Sequence, residues 1–393
     1  MSSFRWIAAS LLLLIQSVAA TCECGYSVNA TSSQHQVFTD LIESDFLTIQ
    51  DIKRDTDWEI QRYWVGYDPN NGYYGENFTA QNVVSNPLKD NYTLAGPSQL
   101  GGDAGLQLWV SGGTPSDGLV LNGEVKTARD DIKYGSFRVG MKLTPINGTC
   151  SAFFSYYNDT QEIDMELLSH QYMNYTRADP NGTPKSPINL VFHSLQTILA
   201  GYQTPNTSTY GVPVLPISLS DAFHEYRFDW TPERVSFYFD GQWLWDLIDE
   251  VPSLPSAILL RHWSNGARGW TKGPPITDAV MTVSYFKAYF NSSDTQRVKH
   301  YSTRCKDPEA SGAVCLIPDQ TVAPDPKITT GVSTAVAAAN GSANTFFFSQ
   351  QTNQTFNQTV YTGVNGGMVS VVDLQSWTVC TVMLVICGIW LHI

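Results

Sequence analysis

The chain has 393 residues, enough for one large all-β domain with appendages or for two ordinary domains. It carries 11 Trp, 19 Tyr and 18 Phe, only 15% charged residues, and a formal charge of −13. Such acidity, without any Lys/Arg-rich run, excludes an electrostatic footprint for nucleic acid and is read simply as an aid to solubility.

At the start, Arg5 precedes an apolar run over residues 7–15, and the small residues Ser17, Val18, Ala19 and Ala20 follow. The run is too short and wrongly flanked for a spanning helix, so residues 1–20 are expected to be a secretory signal peptide. Residues 21–315 are expected to form the folded domain. Between about 36 and 291, short strands alternate with turns, as at 106–110, 135–142, 234–239 and 281–290. Period-two alternation recurs, and Asp240-Gly241 is a hairpin signal. Residues 41–52 read equally as a helix or as a strand and loop. Many strands at short spacing predict an all-β sandwich.

Residues 160–168, Thr-Gln-Glu-Ile-Asp-Met-Glu-Leu-Leu, are the most informative stretch. In a strand, Glu162, Asp164 and Glu166 share one face while Ile163, Met165 and Leu167 face the core. Three adjacent acids repel one another, and a row that costs stability points to a functional use. Four strand residues span about 13 Å, whereas retaining glycosidases hold their two carboxyl groups about 5–5.5 Å apart. Two Glu side chains leaning together over a concave face close that gap. Asp164 between them is placed to orient one Glu and to help hold a proton, with one pKa raised as a general acid requires. A solvated acidic edge strand is the bland alternative, and a carbohydrate-binding sandwich is another.

Cys22, Cys24, Cys150, Cys305 and Cys315 lie outside the last segment, and the secretory route predicts disulfides. Five is odd, so one thiol is free or paired elsewhere. A short Cys305–Cys315 loop and a link from Cys22 or Cys24 to Cys150 are both open. Asn-X-Ser/Thr sites begin at Asn29, Asn77, Asn91, Asn147, Asn158, Asn174, Asn181, Asn206, Asn291, Asn340, Asn353 and Asn357, which suits an outer-surface glycoprotein. Residues 316–364 are rich in Thr, Ser, Asn, Gln and Ala with almost no charge, and are expected to be a disordered stalk. Residues 365–393 combine the small triplet Asn365, Gly366 and Gly367, a spacer and an apolar tail. That is the signal for a glycosylphosphatidylinositol anchor. The alternative, a plain membrane anchor, is disfavoured because no Lys or Arg follows the tail.

Glu162-Ile-Asp-Met-Glu166 resembles the Glu-X-Asp-X-Glu signature of glycoside hydrolase family 16. Residues 134–142, 151–156, 223–232, 235–241 and 262–266 resemble other strands of that family. The resemblance covers most of residues 100–290 and implies a concanavalin A-like jelly-roll β-sandwich with a concave catalytic cleft. It implies Glu162 as nucleophile, Glu166 as general acid/base and Asp164 as their assistant. The missing extra residue before the second Glu and the anchored stalk are similar to fungal cell-wall members. Tyr156, His193, Trp263, Asn265 and Trp270 fall where relatives place sugar contacts; core packing or a turn is the competing role for each. Trp230, Trp243 and Trp245 are assigned to core or rim. The loop 66–78 is expected to wall the cleft. Arg138 and Gly140 occupy positions where the family commonly touches donor-side sugars with other residues, which leaves the linkage preference open. No cofactor and no metal site is implied, although the family admits a structural calcium whose ligands the sequence does not identify.

The expected protein is a secreted or cell-surface retaining endo-β-glucanase acting on β-1,3 or mixed-linkage cell-wall glucan. It would be a monomer, tied to the outer plasma membrane through its lipid anchor only. A cell-wall transglycosylase using glucan, xyloglucan or chitin oligosaccharides is the alternative, and a catalytically silent carbohydrate-binding protein is the reading from another class.

Overall fold

The computed structural model describes residues 22–28, 37–69, 72–90, 95–178, 182–199, 207–326 and 346–350, without the side chains of 174–178 and 350. The expected signal peptide, most of the stalk, the anchor signal, seven of the Asn-X-Ser/Thr sites and the side chain of Asn174 lie outside that description. Of the others, Asn147 and Asn158 are exposed, and Asn77 and Asn291 are half-buried.

Two large sheets stack face to face as a jelly-roll sandwich. The front sheet runs in the order Tyr210–Gly211, Asn189–His193, Gln161–Leu168, Cys150–Asn158, Ala257–Trp263, Leu119–Thr127, Gly75–Phe78 and Tyr63–Val65. The back sheet runs Gln242–Leu247, Val235–Phe239, His224–Trp230, Ile132–Lys142, Ala279–Ser292, Gly105–Val110 and Val83–Asn86, with Asp40–Asp45 also on Ala279–Ser292. Residues 41–52 are therefore strand, turn and a short 3-10 turn rather than a helix.

Period-two alternation decides what faces what. Ile163, Met165 and Leu167 from the front sheet meet Phe137, Val139, Met141, Tyr226 and Phe228 from the back sheet in one core. The intervening residues Glu162, Asp164 and Glu166 must then point outward.

The back sheet departs from simple alternation, because every residue of His224–Trp230 is buried. Its outer face carries Glu225, Arg227 and Asp229, beside Arg138, Tyr285 and Lys287. Residues 316–326 and 346–350 cover this face. Arg138 donates to the Pro318 carbonyl at 2.6 Å, Arg227 meets Asp319 at 2.6 Å, and Lys287 donates to the Phe346 carbonyl at 2.7 Å. Glu43 accepts from the backbone N–H groups of Phe348 and Ser349. The composition assigned these residues to the stalk; instead the packed unit reaches past Cys315. The physical reason is an apolar island, Phe346 to Phe348, with Ile317 and Ala323, set in an otherwise polar stretch. Phe347 packs with Phe223, Tyr285, Ala323 and Phe346. Phe347→Ala is expected to cost about 3 kcal/mol in a denaturant titration, the usual loss for a buried Phe.

The disulfides join the two ends of this unit. Cys22 pairs with Cys315 and Cys24 with Cys305, while Cys150 is a buried free thiol. The suggested Cys305–Cys315 loop and the link to Cys150 are both incorrect. The strand Gly25–Ser27 lies parallel to Val314–Leu316, which brings the terminal cysteines together, whereas Cys150 lies in the front sheet.

Candidate active site

Register across the front sheet builds the site in layers. Glu162 lies between His193 and Tyr156, Asp164 between Val191 and Phe154, and Glu166 between Asn189 and Ala152. One strand further, Ala152 faces Arg261 and Cys150 faces Trp263. Directly opposite strand residues share a face, so these side chains converge on one surface. The cleft above it has a volume of about 520 Å³ and is lined by Glu162, Asp164, Glu166, His193, Arg261, Trp263, Asn265 and Trp270, among others.

Gly66, Asp68, Tyr74, Gly75 and Glu76 contribute the wall expected from the 66–78 loop. That wall is tied to the opposite one, because Tyr73 and Tyr74 both donate their backbone N–H to the Asn265 carbonyl at 3.0 Å. Gly72 permits this approach, since a Cβ there would sit 2.4 Å from the same carbonyl oxygen.

Burial raises the pKa of all three carboxyls of the row, and their mutual repulsion pushes Glu162 and Asp164 further. Glu162 and Asp164 hydrogen-bond each other, with Asp164 holding the proton most firmly. His193 Nε2 lies 3.3 Å from Asp164 Oδ2, and burial lowers its pKa to about 4, so it stands beside the row as a neutral ring. Glu166 Oε1 accepts from Trp270 Nε1 at 3.4 Å and from the Cys150 thiol at 3.3 Å. Glu162, Asp164 and His193 present polar atoms within 4.8 Å of one another.

Raised carboxyl pKa values set a sign for stability. The folded row keeps protons that the unfolded chain has already released above about pH 4. Its penalty is therefore absent below that pH and grows as pH rises through the folded values. Asp164→Asn mimics the protonated acid and keeps a donor toward Glu162. It is expected to be more stable than the parent by about 1–3 kcal/mol at pH 8, with no difference at pH 4, as read by thermal melts at both pH values.

One charged residue that the sequence reading missed sits at the centre. Arg261 Nη2 pairs with Glu76 Oε2 at 2.7 Å and its Nε lies 3.1 Å from Glu124 Oε2. Tyr63 donates to Glu124 at 3.2 Å. The guanidinium stacks over Phe78 and Trp263, and its charge lowers the pKa of every acid in the row. In Leu-Leu-Arg-His-Trp nothing but its alternation with Leu260 and His262 marked Arg261 as facing outward.

Trp263, His193, Asn265 and Trp270 all reach the cleft, but two of them also hold structure. Asn265 is buried, donating to Glu76 at 3.3 Å and accepting from the Ala267 N–H at 3.0 Å. Trp270 is half-buried and donates to Glu166. Tyr156 stands on the same sheet face, directly opposite Glu162, beside the residues that line the cleft. It packs on an apolar floor of Ala152, Phe154, Ala257 and Leu259 and donates to Asp159 at 2.9 Å. Trp230 is core, whereas Trp243 and Trp245 are exposed. Arg138 and Gly140 are not donor-side contacts: they lie in the back sheet, with Arg138 buried beneath Pro318.

A carboxylate row across a long cleft on one sheet of a jelly roll is the arrangement of a glycosidase. Residues 89–272 match the model of glycosyl hydrolases family 16. The chain is 25% identical over 228 residues to a beta-glucanase of Brevibacillus brevis, covering 56% of this chain and 78% of that one. It is likewise 25% identical over 225 residues to Crh-like protein 3 of Botryotinia fuckeliana, covering 49% of this chain but only 45% of that one. Among solved structures, the Bacillus licheniformis beta-glucanase superposes with a TM-score of 0.45 and 19% identity, covering 63% of this chain and 97% of that one.

Proposed function

We propose that the domain is a retaining endo-β-glucanase acting on β-1,3 or mixed-linkage β-1,3/1,4-glucan. The observation that carries the reading is the convergence of Glu162, Asp164 and Glu166 at the base of one open cleft, with their charge balanced by Arg261. Glu162 attacks the anomeric carbon and forms a glycosyl ester. The glycosidic C–O bond breaks, its electron pair stays on the leaving oxygen, and that oxygen takes the proton of Glu166. Asp164 donates its proton to the Glu162 carboxylate as a hydrogen bond and so fixes the attacking oxygen. Glu166, now ionised, removes a proton from the incoming hydroxyl and returns the sugar with its configuration retained.

The apolar floor of Ala152, Phe154, Ala257 and Leu259 favours a second reading, in which a sugar hydroxyl rather than water completes the reaction. Trp263 and Trp270 supply ring faces for stacking in either case.

We further propose that residues 1–20 direct the chain to the cell exterior and that residues 365–393 carry the lipid-anchor signal. The domain would then work at the cell surface or wall at the end of a stalk. Two disulfides support an oxidising compartment.

Purified residues 21–350 assayed on laminarin, lichenan, barley β-glucan and chitin oligosaccharides test the central reading. Turnover that is lost in Glu162→Gln supports it, and binding of a glucan without turnover by the parent protein overturns it. Labelled oligosaccharide acceptors in the same assay separate hydrolysis from transfer.

A further inference from the structure

The mechanism above leaves one buried nucleophilic group in the site without a role. Cys150 is fully buried and belongs to neither disulfide. It lies on the cleft-facing side of its strand, opposite Leu168 on one side and Trp263 on the other. Its sulfur is 3.3 Å from Glu166 Oε1, against 3.8 Å to the Ser151 carbonyl. Burial and the neighbouring Glu166 push the thiol well above its ordinary range. The hydrogen between sulfur and oxygen therefore belongs to sulfur, and Cys150 is a donor rather than a thiolate.

Trp270 Nε1 donates to the same oxygen from the opposite wall. An oxygen that accepts two fixed donors is a poor seat for a proton of its own. The acid proton of Glu166 is thereby left to Oε2.

We propose that Cys150 is a positioning residue which, together with Trp270, pins Glu166 Oε1 and directs the catalytic proton onto Oε2. This rests on the acid/base reading of Glu166. The other charged and titratable groups that face Glu166 are Glu162 and Asp164 on its own strand, Arg261, Glu76, and Tyr210, whose hydroxyl is engaged by Asn189. None of them donates a hydrogen bond to Oε1 among the described contacts.

A donor to a carboxylate favours its ionised form, so removing the thiol raises the pKa of Glu166. In Cys150→Ala the alkaline limb of kcat/KM on barley β-glucan is expected to move up by about one pH unit. Activity at the parent's optimum falls about ten-fold, the worth of one hydrogen bond, with KM unchanged. Cys150→Ser, which restores a donor, returns both toward the parent. Cys150→Val fills the space without a donor and repeats the test should the Ala variant be unstable. A Cys150→Ala or Val profile that superposes on the parent's, or a Ser variant that behaves like Ala, overturns the proposal. Glu166→Ala with sodium azide is run alongside on a dinitrophenyl β-glucan oligosaccharide. Formation of a β-glycosyl azide with parent-like Cys150 profiles sinks only the positioning role. No azide product from Glu166→Ala sinks the acid/base reading and the proposal together.

Discussion

Glu162→Gln is expected to lower kcat on order of 10⁴-fold or more while the folded protein still binds glucan. The substitution keeps the shape and a polar end but removes the electron pair that forms the glycosyl ester. It also leaves Asp164 without its anionic acceptor, and removes one of the charges that raise the Asp164 pKa. The variant should therefore be as stable as the parent at acid pH and more stable at pH 8. Inactivity with unchanged glucan affinity and a raised melting temperature at alkaline pH separates loss of chemistry from loss of fold. Residual turnover within ten-fold of the parent would remove Glu162 from the role of nucleophile.

Arg261→Met is expected to have the largest effect on stability. Its side chain is mostly buried and bridges Glu76 and Glu124, which are themselves buried. Removing one partner of a buried ion pair leaves uncompensated charge and costs about 3–5 kcal/mol. Burial already raises the pKa of Glu76 and Glu124, and Arg261 is what holds them down. Without it both carboxyls rise further above their unfolded values. The folded protein then binds more protons than the unfolded chain above about pH 4, so the variant loses most stability at pH 8 and recovers part of it toward pH 5. Guanidinium titrations at the two pH values measure this. A loss under 1 kcal/mol that does not vary with pH would contradict it.

Much of the site could be read from one strand. Glu162, Asp164 and Glu166 alternate with Ile163, Met165 and Leu167, and a period of two leaves no other way to bury the apolar set. The partners of the row were harder to see because they depend on cross-strand register. Arg261 and Cys150 are 95 and 16 positions or so away from Glu166 in the chain, yet their strands lie within two ladder steps of it. Neither residue type at those positions signals a cleft by itself. The back of the sandwich was misread for the opposite reason. Arg138 was compared with sugar-contacting positions, although its alternation with Phe137 and Val139 only says that it faces away from the core. Which sheet it belongs to is a matter of topology. The C-terminal cover was hidden by composition, because three adjacent Phe residues are a small share of a polar segment but enough to dock it. Disulfide pairing followed from the meeting of Gly25–Ser27 with Val314–Leu316, a contact between the two ends of the unit.

The division of labour within the row is tested most directly by chemical rescue. Glu162→Ala and Glu166→Ala are each incubated with a dinitrophenyl β-glucan oligosaccharide and sodium azide, and the anomeric configuration of the azide product is read by NMR. Azide takes the place of the missing carboxylate nucleophile in the first variant and of the activated acceptor in the second. An α-glycosyl azide from Glu162→Ala and a β-glycosyl azide from Glu166→Ala are the predicted products. The reversed pair, or a β-azide from Glu162→Ala, would contradict the roles assigned to the two residues.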